Sequence, residues 1–443
     1  MSAWRAEPAD RMSGRIRVPG DKSISHRALM LGAIADGVTD IEGFLAGEDC
    51  LATLNAMRAL GVPIEQPSPT AVIVRGVGRE GLTGSSEPLD MGNAGTAMRL
   101  SMGLLAGQRF DSTLIGEASL TKRPMERVAV PLRLMGARID TREGRPPVKV
   151  HGGSMLQGIE YAMPVASAQL KSALLIAGLF ARGATAVSEP APTRDHTERM
   201  LTAFGVPVRR GRQSVSVEGG ARLRATSIIV PADFSSAAFF IVAGCIAREG
   251  SLLLEGVGLN PTRTGLLELL RLMGAQITVS NPRLAGDEPV GDIHVRPSNL
   301  RGIEVPAALV ASAIDEFPVF FIAAACAEGN TVLRGAEELR VKESDRLAVM
   351  SAGLRALGVA HALSSDGMTL CGREGAAGPI FGAGRIDSHG DHRIAMAFAV
   401  ASLQARGPIE IADTANVATS FPGFFDLARS AGLALCSSAE VPA

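Results

Sequence analysis

The stretch Asp21-Lys22-Ser23-Ile24-Ser25-His26-Arg27 decides how this sequence of 443 residues is interpreted. A Pro-Gly pair at residues 19–20 ends the extended segment before it, and an apolar helical pattern follows at residues 28–31. The lysine, the first serine and the arginine therefore fall in the first turns of a predicted helix, where free backbone N–H groups and the helix dipole favour an anion. The pattern predicts a phosphate or carboxylate site, although an ordinary capped helix with solvated charges also fits it.

A pattern of helix, glycine and strand recurs along the chain. An amphipathic helical stretch ends in glycine and a short β-like run follows at Gly61, Gly136, Gly205, Gly274, Gly358 and Gly432. Glycine at these points predicts a left-handed helix C-cap. A second series interleaves with the first, in which almost wholly apolar and therefore buried helices end near Gly37, Gly107, Gly183, Gly250, Gly329 and Gly407. The two series predict six repeated units that bury their apolar faces against one another, with ordinary α/β alternation as the alternative.

Polar residues suited to a binding site precede each of the buried helices. These leaders contain capping residues, glycines and charged groups, and they are residues 21–23, 92–96, 167–169, 233–236, 314–316 and 390–393. If the units pack as two bundles of three, the helix N-termini gather on one face of each bundle. Two such faces opposed across a cleft would hold a ligand with several negative charges.

Composition restricts the class of protein. The net charge of −1 argues against nucleic acid as the main partner, because duplex-binding proteins carry a basic excess. No apolar run of membrane-spanning length lacks charged breaks, and the first residues do not resemble a signal peptide. The scattered cysteines predict reduced, mostly buried thiols in a cytoplasmic protein, and they are Cys50, Cys245, Cys326, Cys371 and Cys436.

Four further stretches carry charged residues that could belong to a site or to a solvated surface, and a solvated loop is the favoured interpretation of the first. Residues 119–124 form a basic turn with proline at a plausible helix start, and residues 193–198 lead into an amphipathic helix. In residues 338–346, Lys342 and Arg346 are four apart and are expected to share a helical face beside Glu343. Residues 387–393 contain two histidines and two aspartates, but they lack the i,i+4 ligand pairing of a helical metal site, so no metal is expected.

Taken together, these motifs resemble those of the 5-enolpyruvylshikimate-3-phosphate (EPSP) synthase family, the 3-phosphoshikimate 1-carboxyvinyltransferases. Residues 19–27, 92–99, 340–347 and 391–396 match its signatures, and the similarity extends from residue 19 to residue 422. Residues 119–124, 193–198 and 260–265 are most similar to the class II bacterial subgroup.

The resemblance implies an α/β fold, a two-lobed inside-out α/β barrel built from six βαβαββ repeats with three in each lobe. By this resemblance residues 1–20 and 232–443 form the first lobe, and residues 21–231 form the second. The active site would lie in the cleft between the lobes, which close over the ligands and exclude water. A monomer is implied.

The implied reaction transfers the enolpyruvyl group of phosphoenolpyruvate to the 5-hydroxyl of shikimate 3-phosphate and releases phosphate, in the pathway to chorismate and the aromatic amino acids. By position in the motifs, Asp315 would be the base, Glu343 the acid at the methylene carbon, and Lys22 an aid to proton transfer at the bridging oxygen. Shikimate 3-phosphate would be bound by Lys22, Ser23, Arg27, Ser167, Ala168, Gln169, Arg194, Asp315 and Lys342. Phosphoenolpyruvate would be bound by Lys22, Gly95, Arg123, Gln169, Arg346 and Arg393. No metal or organic cofactor is implied.

The sequence departs from the family pattern at one position and differs from some relatives at another. Many members carry a lysine where this chain has Thr419, which removes one cationic contact to the phosphate, although class II members resemble this chain there. Members that resist the inhibitor glyphosate, which occupies the phosphoenolpyruvate site, carry alanine where this chain has Gly95. Glyphosate is therefore expected to inhibit this enzyme more readily than those relatives.

Three other functions fit the sequence less well. UDP-N-acetylglucosamine enolpyruvyl transferases share the fold, but they carry a loop cysteine that residues 115–123 lack. RNA 3′-phosphate cyclases would require a basic surface, which the charge balance does not supply. A protein that only binds a phosphorylated metabolite would not need Asp315 and Glu343 among so many cations.

Overall fold

The computed structural model describes residues 2–373 and 378–437, so the end of the predicted first lobe, residues 438–443, lies outside the described residues. In this part of the chain the helices are α1 (Lys22–Ala33), α2 (Glu48–Ala59), α3 (Gly95–Ala106), α4 (Glu126–Leu134), α5 (Ala168–Gly178), α6 (His196–Ala203), α7 (Phe234–Ile246), α8 (Gly265–Leu272), α9 (Ala307–Ala313), α10 (Phe317–Cys326), α11 (Arg346–Ala356), α12 (His392–Ala401) and α13 (Phe424–Ala431).

The strands of the described residues are short. In chain order they are β1 (Ala3–Glu7), β2 (Arg11–Ile16), β3 (Ala35–Glu42), β4 (Ile64–Ser68), β5 (Ala71–Val77), β6 (Leu89–Asp90), β7 (Ser112–Ile115), β8 (Arg138–Arg142), β9 (Arg145–His151), β10 (Glu160–Ala162), β11 (Ala184–Ser188), β12 (Val208–Arg210), β13 (Ser214–Glu218), β14 (Leu223–Arg224), β15 (Ile228–Ile229), β16 (Glu249–Gly258), β17 (Gln276–Ala285), β18 (Glu288–Arg296), β19 (Asn330–Leu333), β20 (His361–Leu363), β21 (Met368–Cys371), β22 (Gly384–Asp387), β23 (Ile409–Ala412) and β24 (Ala434–Ser437).

The chain divides into two compact units. Unit 1 comprises Met1–Pro19, Ala232–Arg283 and Pro289–Ala443, and unit 2 comprises Gly20–Pro231 and Leu284–Glu288. The sequence assigned both Gly20 and residues 284–288 to the other lobe. Gly20 belongs to unit 2 because its backbone packs directly on Gly43, whose carbonyl oxygen lies 1.8 Å from where a Cβ would be.

Residues 284–288 belong to unit 2 because their contacts are made there. The carbonyl of Asp287 accepts a hydrogen bond from Arg199 Nη1 at 2.7 Å. The carboxylate of Glu288 lies 2.6 Å from His196 Nδ1. Both partners are on α6, a helix of unit 2.

Among the described residues, three sheets belong wholly or mainly to each unit. In unit 1 the strand orders are β22-β23-β1-β24, β17-β18-β16-β2 and β19-β21-β20. In unit 2 they are β14-β3-β5-β4 with β15 beside β3, β6-β7-β9-β8, and β10-β11-β13-β12. Most of the sheets mix parallel and antiparallel pairs, as where β11 runs parallel to β10 and antiparallel to β13. The six predicted repeats, three in each lobe, are confirmed.

The buried helices form the interior of each unit. Helices α7, α10 and α12 contact one another in unit 1, and α3 contacts both α1 and α5 in unit 2. All 13 residues of α7 are buried, which agrees with a helix that has no polar face. Each unit has a separate apolar core, so each can bury its own helices.

Helix ends follow the predicted chemistry. The six glycines predicted as left-handed C-caps all have positive φ, from 78° at Gly358 to 121° at Gly432. The N-caps of the six buried helices all lie in the predicted leaders, at Asp21, Ala94, Ser167, Asp233, Glu316 and Asp391. The apolar helices therefore begin where the polar leaders were found.

Among the described residues, no helix is both long enough and apolar enough to cross a bilayer. All five cysteines are free thiols, but Cys371 is exposed and only Cys50 and Cys245 are fully buried, so the expectation of mostly buried thiols holds only in part. Burial raises the pKa of the Cys245 thiol to about 12.

Candidate active site

The guanidinium of Arg346, the first residue of α11, is the centre of the site in unit 1. Its Nε lies 2.9 Å from Asp391, its Nη2 lies 2.6 Å from Glu343, and its Nη1 lies 3.3 Å from Asp315. Lys342 approaches the same Asp315 oxygen, with its Nζ at 3.5 Å. The predicted base and the predicted acid therefore share one arginine, whose side chain is only 2% exposed.

This cluster changes the proton affinities of its members. Burial lowers the pKa of Arg346, but the carboxylates around it outweigh that effect and raise the pKa well above its usual value. Burial raises the pKa of Asp391, but Arg346 more than compensates, so the pKa lies below its usual value. Both groups remain charged at neutral pH, and Arg346 keeps its charge beside Asp315 and Glu343.

The prediction that Lys342 and Arg346 share one face of a helix is wrong. Residues 337–341 form a 3₁₀ turn, and Lys342 has an extended backbone with φ −83° and ψ −152°. Helix α11 begins at Arg346 because the side chain of Asp345 caps it, accepting a hydrogen bond from Ala348 N at 3.0 Å. Because the chain changes direction between Lys342 and Arg346, both cations lie close to the same carboxylate oxygen of Asp315.

Side chains link the N-termini of the three buried helices of unit 1. Ser235, in the first turn of α7, donates a hydrogen bond to the carboxylate of Glu316, the N-cap of α10. Arg393 in α12 has its Nη1 3.5 Å from the same carboxylate, and this atom donates to the carbonyl of Asp315 at 2.8 Å. The predicted gathering of helix N-termini on one face is therefore observed within this unit.

In unit 2, α1 presents the first group of predicted ligands. Lys22 is the first residue of α1 and forms an ion pair with Asp49 of α2. Arg27 is 2% exposed, and its guanidinium donates to Thr197 and Ser172, each at 2.7 Å. These bonds connect α1 to α6 and α5. The sequence did not single out Asp49.

The second group in unit 2 centres on Gln169 in the first turn of α5. Its side chain accepts a hydrogen bond from Arg99 at 2.6 Å and donates to Thr96 at 2.8 Å. Arg99 also donates to the carbonyl of Pro124 at 3.1 Å, next to the predicted ligand Arg123. Gly95, the first residue of α3, lies against Arg123, since a Cβ added to it would be 2.9 Å from Arg123 Nη1. The predicted phosphoenolpyruvate ligands Gly95, Arg123 and Gln169 are thus neighbours.

The segment that carries Arg194 is held by a buried lysine that the sequence did not single out as a site residue. Lys171 of α5 is 1% exposed, and its Nζ lies 2.8 Å from Glu198 and 3.1 Å from Glu189. The hydroxyl of Thr193 donates to Glu189 at 2.6 Å. Both ends of the segment from residue 189 to residue 198 are therefore tied to α5, beside the predicted ligands Ser167 and Ala168 at its N-terminus.

The basic turn at residues 119–124 differs from the expectation, whereas the leader at residues 390–393 supplies the expected helix cap. Pro124 does not begin a helix, because residues 120–122 form a 3₁₀ turn and α4 starts at Glu126. In the stretch 387–393, Asp391 caps α12 and pairs with Arg346. Within the described ranges, no group of three or more histidine, cysteine or acidic side chains is arranged to hold a metal ion.

His26 lies inside the first signature but is fully buried. Its Nδ1 lies 2.7 Å from the hydroxyl of Thr53, and its Nε2 has no hydrogen-bond partner within the described residues. Burial, with smaller contributions from the charges of Lys22 and Arg27, lowers its pKa well below 6.5. His26 is therefore a neutral packing residue of α1.

This burial predicts a pH dependence of stability. Below pH 6.5 the unfolded chain binds a proton at His26 that the folded chain does not bind, so folding loses free energy as the pH falls. Between pH 7.5 and pH 5.5 we expect the wild type to lose more free energy of unfolding in urea than His26→Gln does. The difference is at most about 1.4 kcal/mol, the limit for one proton that only the unfolded chain binds. Equal pH dependence of both proteins would contradict this explanation.

Known proteins resemble this chain over nearly its whole length. The sequence profile described as EPSP synthase (3-phosphoshikimate 1-carboxyvinyltransferase) matches residues 6–427. The chain is 60% identical to the 3-phosphoshikimate 1-carboxyvinyltransferase of Alkalilimnicola ehrlichii over 433 residues, which are 98% of this chain and 96% of that relative. It is 58% identical to the protein of the same name from Methylococcus capsulatus over 97% of each chain.

Solved structures show the same relationship. The EPSP synthase of Acinetobacter baumannii superposes with a TM-score of 0.88 and 54% identity, covering 99% of this chain and 100% of that one. The enolpyruvyl transferase NikO of Streptomyces tendae superposes with a TM-score of 0.78 at 17% identity over 99% of each chain, a likeness that concerns the fold alone. This chain belongs to the EPSP synthase family, the 3-phosphoshikimate 1-carboxyvinyltransferases, which transfer the enolpyruvyl group of phosphoenolpyruvate to shikimate 3-phosphate in aromatic amino acid biosynthesis.

Proposed function

We propose that this chain catalyses the family reaction with Asp315 as the base, Glu343 as the acid and Lys22 as an aid to proton transfer. The observation that carries the assignment is the contact of one buried guanidinium, that of Arg346, with both Asp315 and Glu343. Carboxylates held by a fixed cation keep their orientation, and neighbouring donors can stabilise charge that develops in the reaction. An ordinary surface cluster would not need a side chain that is only 2% exposed.

The proposed chemistry is an addition followed by an elimination. Asp315 accepts the proton of the 5-hydroxyl while the hydroxyl oxygen bonds to C2 of phosphoenolpyruvate. At the same time Glu343 delivers a proton to the methylene carbon C3. C2 then carries four single bonds. In the second step C3 returns a proton to the Glu343 carboxylate, the C2–C3 double bond re-forms and the bond between C2 and the bridging oxygen breaks. Inorganic phosphate leaves with a proton that Lys22 helps to supply, which balances the proton that Asp315 took up and must release. Neither step needs an oxidant, a metal or an organic cofactor.

The ligand assignments follow the chemistry of the groups. Arginine suits phosphate and carboxylate because its two N–H edges bind two oxygens at once. In this proposal the phosphoenolpyruvate ligands are Lys22, Gly95, Arg123, Gln169, Arg346 and Arg393. The shikimate 3-phosphate ligands are Lys22, Ser23, Arg27, Ser167, Ala168, Gln169, Arg194, Asp315 and Lys342. The proposal requires residues of both units to contact the same pair of substrates. We further propose that the chain acts as a cytoplasmic monomer of the class II type and that glyphosate competes at the phosphoenolpyruvate ligands.

Gly95→Ala is expected to raise the glyphosate concentration needed for half inhibition by about tenfold or more, a difference of about 1.4 kcal/mol. The added methyl would lie 2.9 Å from Arg123 Nη1 and 3.3 Å from Arg99 Nη1, so both arginine ends would have to move. The KM for phosphoenolpyruvate should rise by a smaller factor, and the KM for shikimate 3-phosphate should stay unchanged. Inhibition curves at fixed substrate concentrations test this prediction, and unchanged glyphosate inhibition would reject it.

The experiment that tests the proposed function measures phosphate release from phosphoenolpyruvate with two acceptors in parallel. Release with shikimate 3-phosphate and none with UDP-N-acetylglucosamine is the expected result. Release with the nucleotide sugar would assign the chain to the other enolpyruvyl transfer. Binding of shikimate 3-phosphate without phosphate release would leave only a binding protein and would remove the catalytic roles given above.

A further inference from the structure

Glu316 is a buried carboxylate next to the proposed base, and the reaction above does not use it. It is 1% exposed and is the N-cap of α10. Burying a carboxylate is costly unless cations or hydrogen-bond donors compensate for the lost water. The partners that compensate for Glu316 therefore indicate what it does.

Those partners come from the other two buried helices of unit 1. The hydroxyl of Ser235 donates to Glu316, and Arg393 Nη1 lies 3.5 Å from the same oxygen. Ser235 in turn accepts a hydrogen bond from Arg263 Nη2 at 2.7 Å, and that atom also lies 3.2 Å from Asp233. The result is a chain of contacts from Arg393 to Asp233 through side chains that are almost completely buried.

The contacts of Arg393 leave part of its guanidinium available. Its side-chain contacts in the described part of the protein use Nη1, which donates to the carbonyl of Asp315 and faces Glu316. Its side chain is 14% exposed, compared with 1% for Glu316. Nη1 is thus held between the carbonyl of Asp315 and the carboxylate of Glu316, and the other guanidinium nitrogens are left for a ligand.

The carboxylates of Asp315 and Glu316 contact different cations of the site. The Asp315 carboxylate faces Lys342 and Arg346, whereas the Glu316 carboxylate faces Arg393. A neutral residue at position 316 would leave Arg393 Nη1 with neutral acceptors only, the carbonyl of Asp315 among them. The arginine would then lose its ionic partner and sample other rotamers, because neutral acceptors hold a guanidinium less strongly than a carboxylate does.

We propose that Glu316 is a positioning residue that orients Arg393 toward phosphoenolpyruvate, with Ser235 and Arg263 holding the Glu316 carboxylate in place. The inference rests on the proposed function, because Arg393 is assigned to phosphoenolpyruvate there. Glu316 itself touches neither substrate in this arrangement. Its role is to make Arg393 rigid before the ligand arrives, which reduces the entropy that binding must overcome.

The test is steady-state kinetics of Glu316→Gln, which preserves the shape of the side chain and its ability to accept from Ser235. The KM for phosphoenolpyruvate should rise by about 10- to 100-fold, while the KM for shikimate 3-phosphate should change less than about threefold. Ser235→Ala, which removes the hydroxyl that joins Glu316 to Arg263 but keeps the Glu316 carboxylate beside Arg393, should raise the KM for phosphoenolpyruvate by a smaller factor. Glu337→Gln, an exposed carboxylate on the neighbouring 3₁₀ turn, serves as the matched control and should match the wild type.

A double-mutant cycle with Arg393→Lys separates positioning from a general structural effect. If Glu316 acts through Arg393, adding Glu316→Gln to Arg393→Lys should raise the KM for phosphoenolpyruvate by much less than it does in the wild type. The proposal would be overturned if the double variant raised the KM for phosphoenolpyruvate by the product of the two single-variant factors. Equal rises in the KM values for both substrates would also overturn it. If Glu316→Gln does not fold, an unchanged KM for phosphoenolpyruvate in Ser235→Ala would overturn it. A wild type without phosphate release would instead reject the proposed function.

Discussion

Asp315→Asn is expected to lower kcat by about 10²- to 10⁴-fold, the usual contribution of a general base. The amide keeps the size of the side chain and can still accept hydrogen bonds, but it cannot take the proton of the 5-hydroxyl. Lys342 and Arg346 lie 3.5 Å and 3.3 Å from the carboxylate, so the variant should retain much of its affinity for an anionic substrate. The loss should therefore appear in kcat more than in KM.

The measurement is phosphate release at saturating concentrations of both substrates, compared with Asp426→Asn as the control. Asp426 is an exposed carboxylate on α13, and its replacement should leave kcat unchanged. Circular dichroism and thermal unfolding verify that both variants are folded. A kcat for Asp315→Asn within a factor of three of the wild type would exclude Asp315 as the base.

Arg346→Met is expected to abolish detectable turnover and to destabilise the protein by about 3–5 kcal/mol, the typical cost of removing one partner from a buried ionic network. The change leaves Asp391, whose side chain is completely buried, without the guanidinium that lies 2.9 Å from it. It also removes the guanidinium that lies 2.6 Å from Glu343 and 3.3 Å from Asp315. Arg346→Lys should lose less stability because it keeps the charge, but it cannot reach three carboxylates at once.

The free energy of unfolding in urea tests the stability component. Arg355→Met, on the exposed face of α11, is the control and should remain close to the wild type. The double variant Arg346→Met, Asp391→Asn should recover part of the lost stability, because the unpaired buried charge is gone, but it should recover no activity. Equal stability of the two Arg346→Met proteins would show that the cost does not come from the unpaired Asp391.

The sequence was sufficient to predict local features that repeat. Capping residues before apolar helices and glycines after amphipathic ones act within a few residues, so the six helix starts and the six left-handed glycines were predicted correctly. Lys22 was correctly placed at the start of α1 for the same reason. The shared helical face of Lys342 and Arg346 failed because the cap at Asp345 delays the helix, and the spacing of two cations does not reveal that choice.

The partners of the site residues required the tertiary structure. Arg346 pairs with Asp391 across 45 positions of the sequence, and Arg27 meets Ser172 across 145 positions. Neither pair of contacting residues can be recognised from a periodic pattern or from nearby residues in the sequence. Glu316 lies in a leader, but the resemblance implied a role only for its neighbour Asp315. The contact with Arg393, which distinguishes Glu316, is visible only in the structure. Lys171 lies within an apolar helical stretch, and its two glutamate partners come from the residue after β11 and from α6, which only the fold brings together.

Product analysis by NMR tests the central claim most directly, with phosphoenolpyruvate, shikimate 3-phosphate and the wild-type chain in one tube. One inorganic phosphate should form for each shikimate 3-phosphate consumed, and the enolpyruvyl group should be attached through an ether bond at the 5-oxygen with its methylene protons still visible. Free pyruvate with unchanged shikimate 3-phosphate would indicate hydrolysis and would contradict the account. Attachment at any other oxygen would contradict the role given to Asp315.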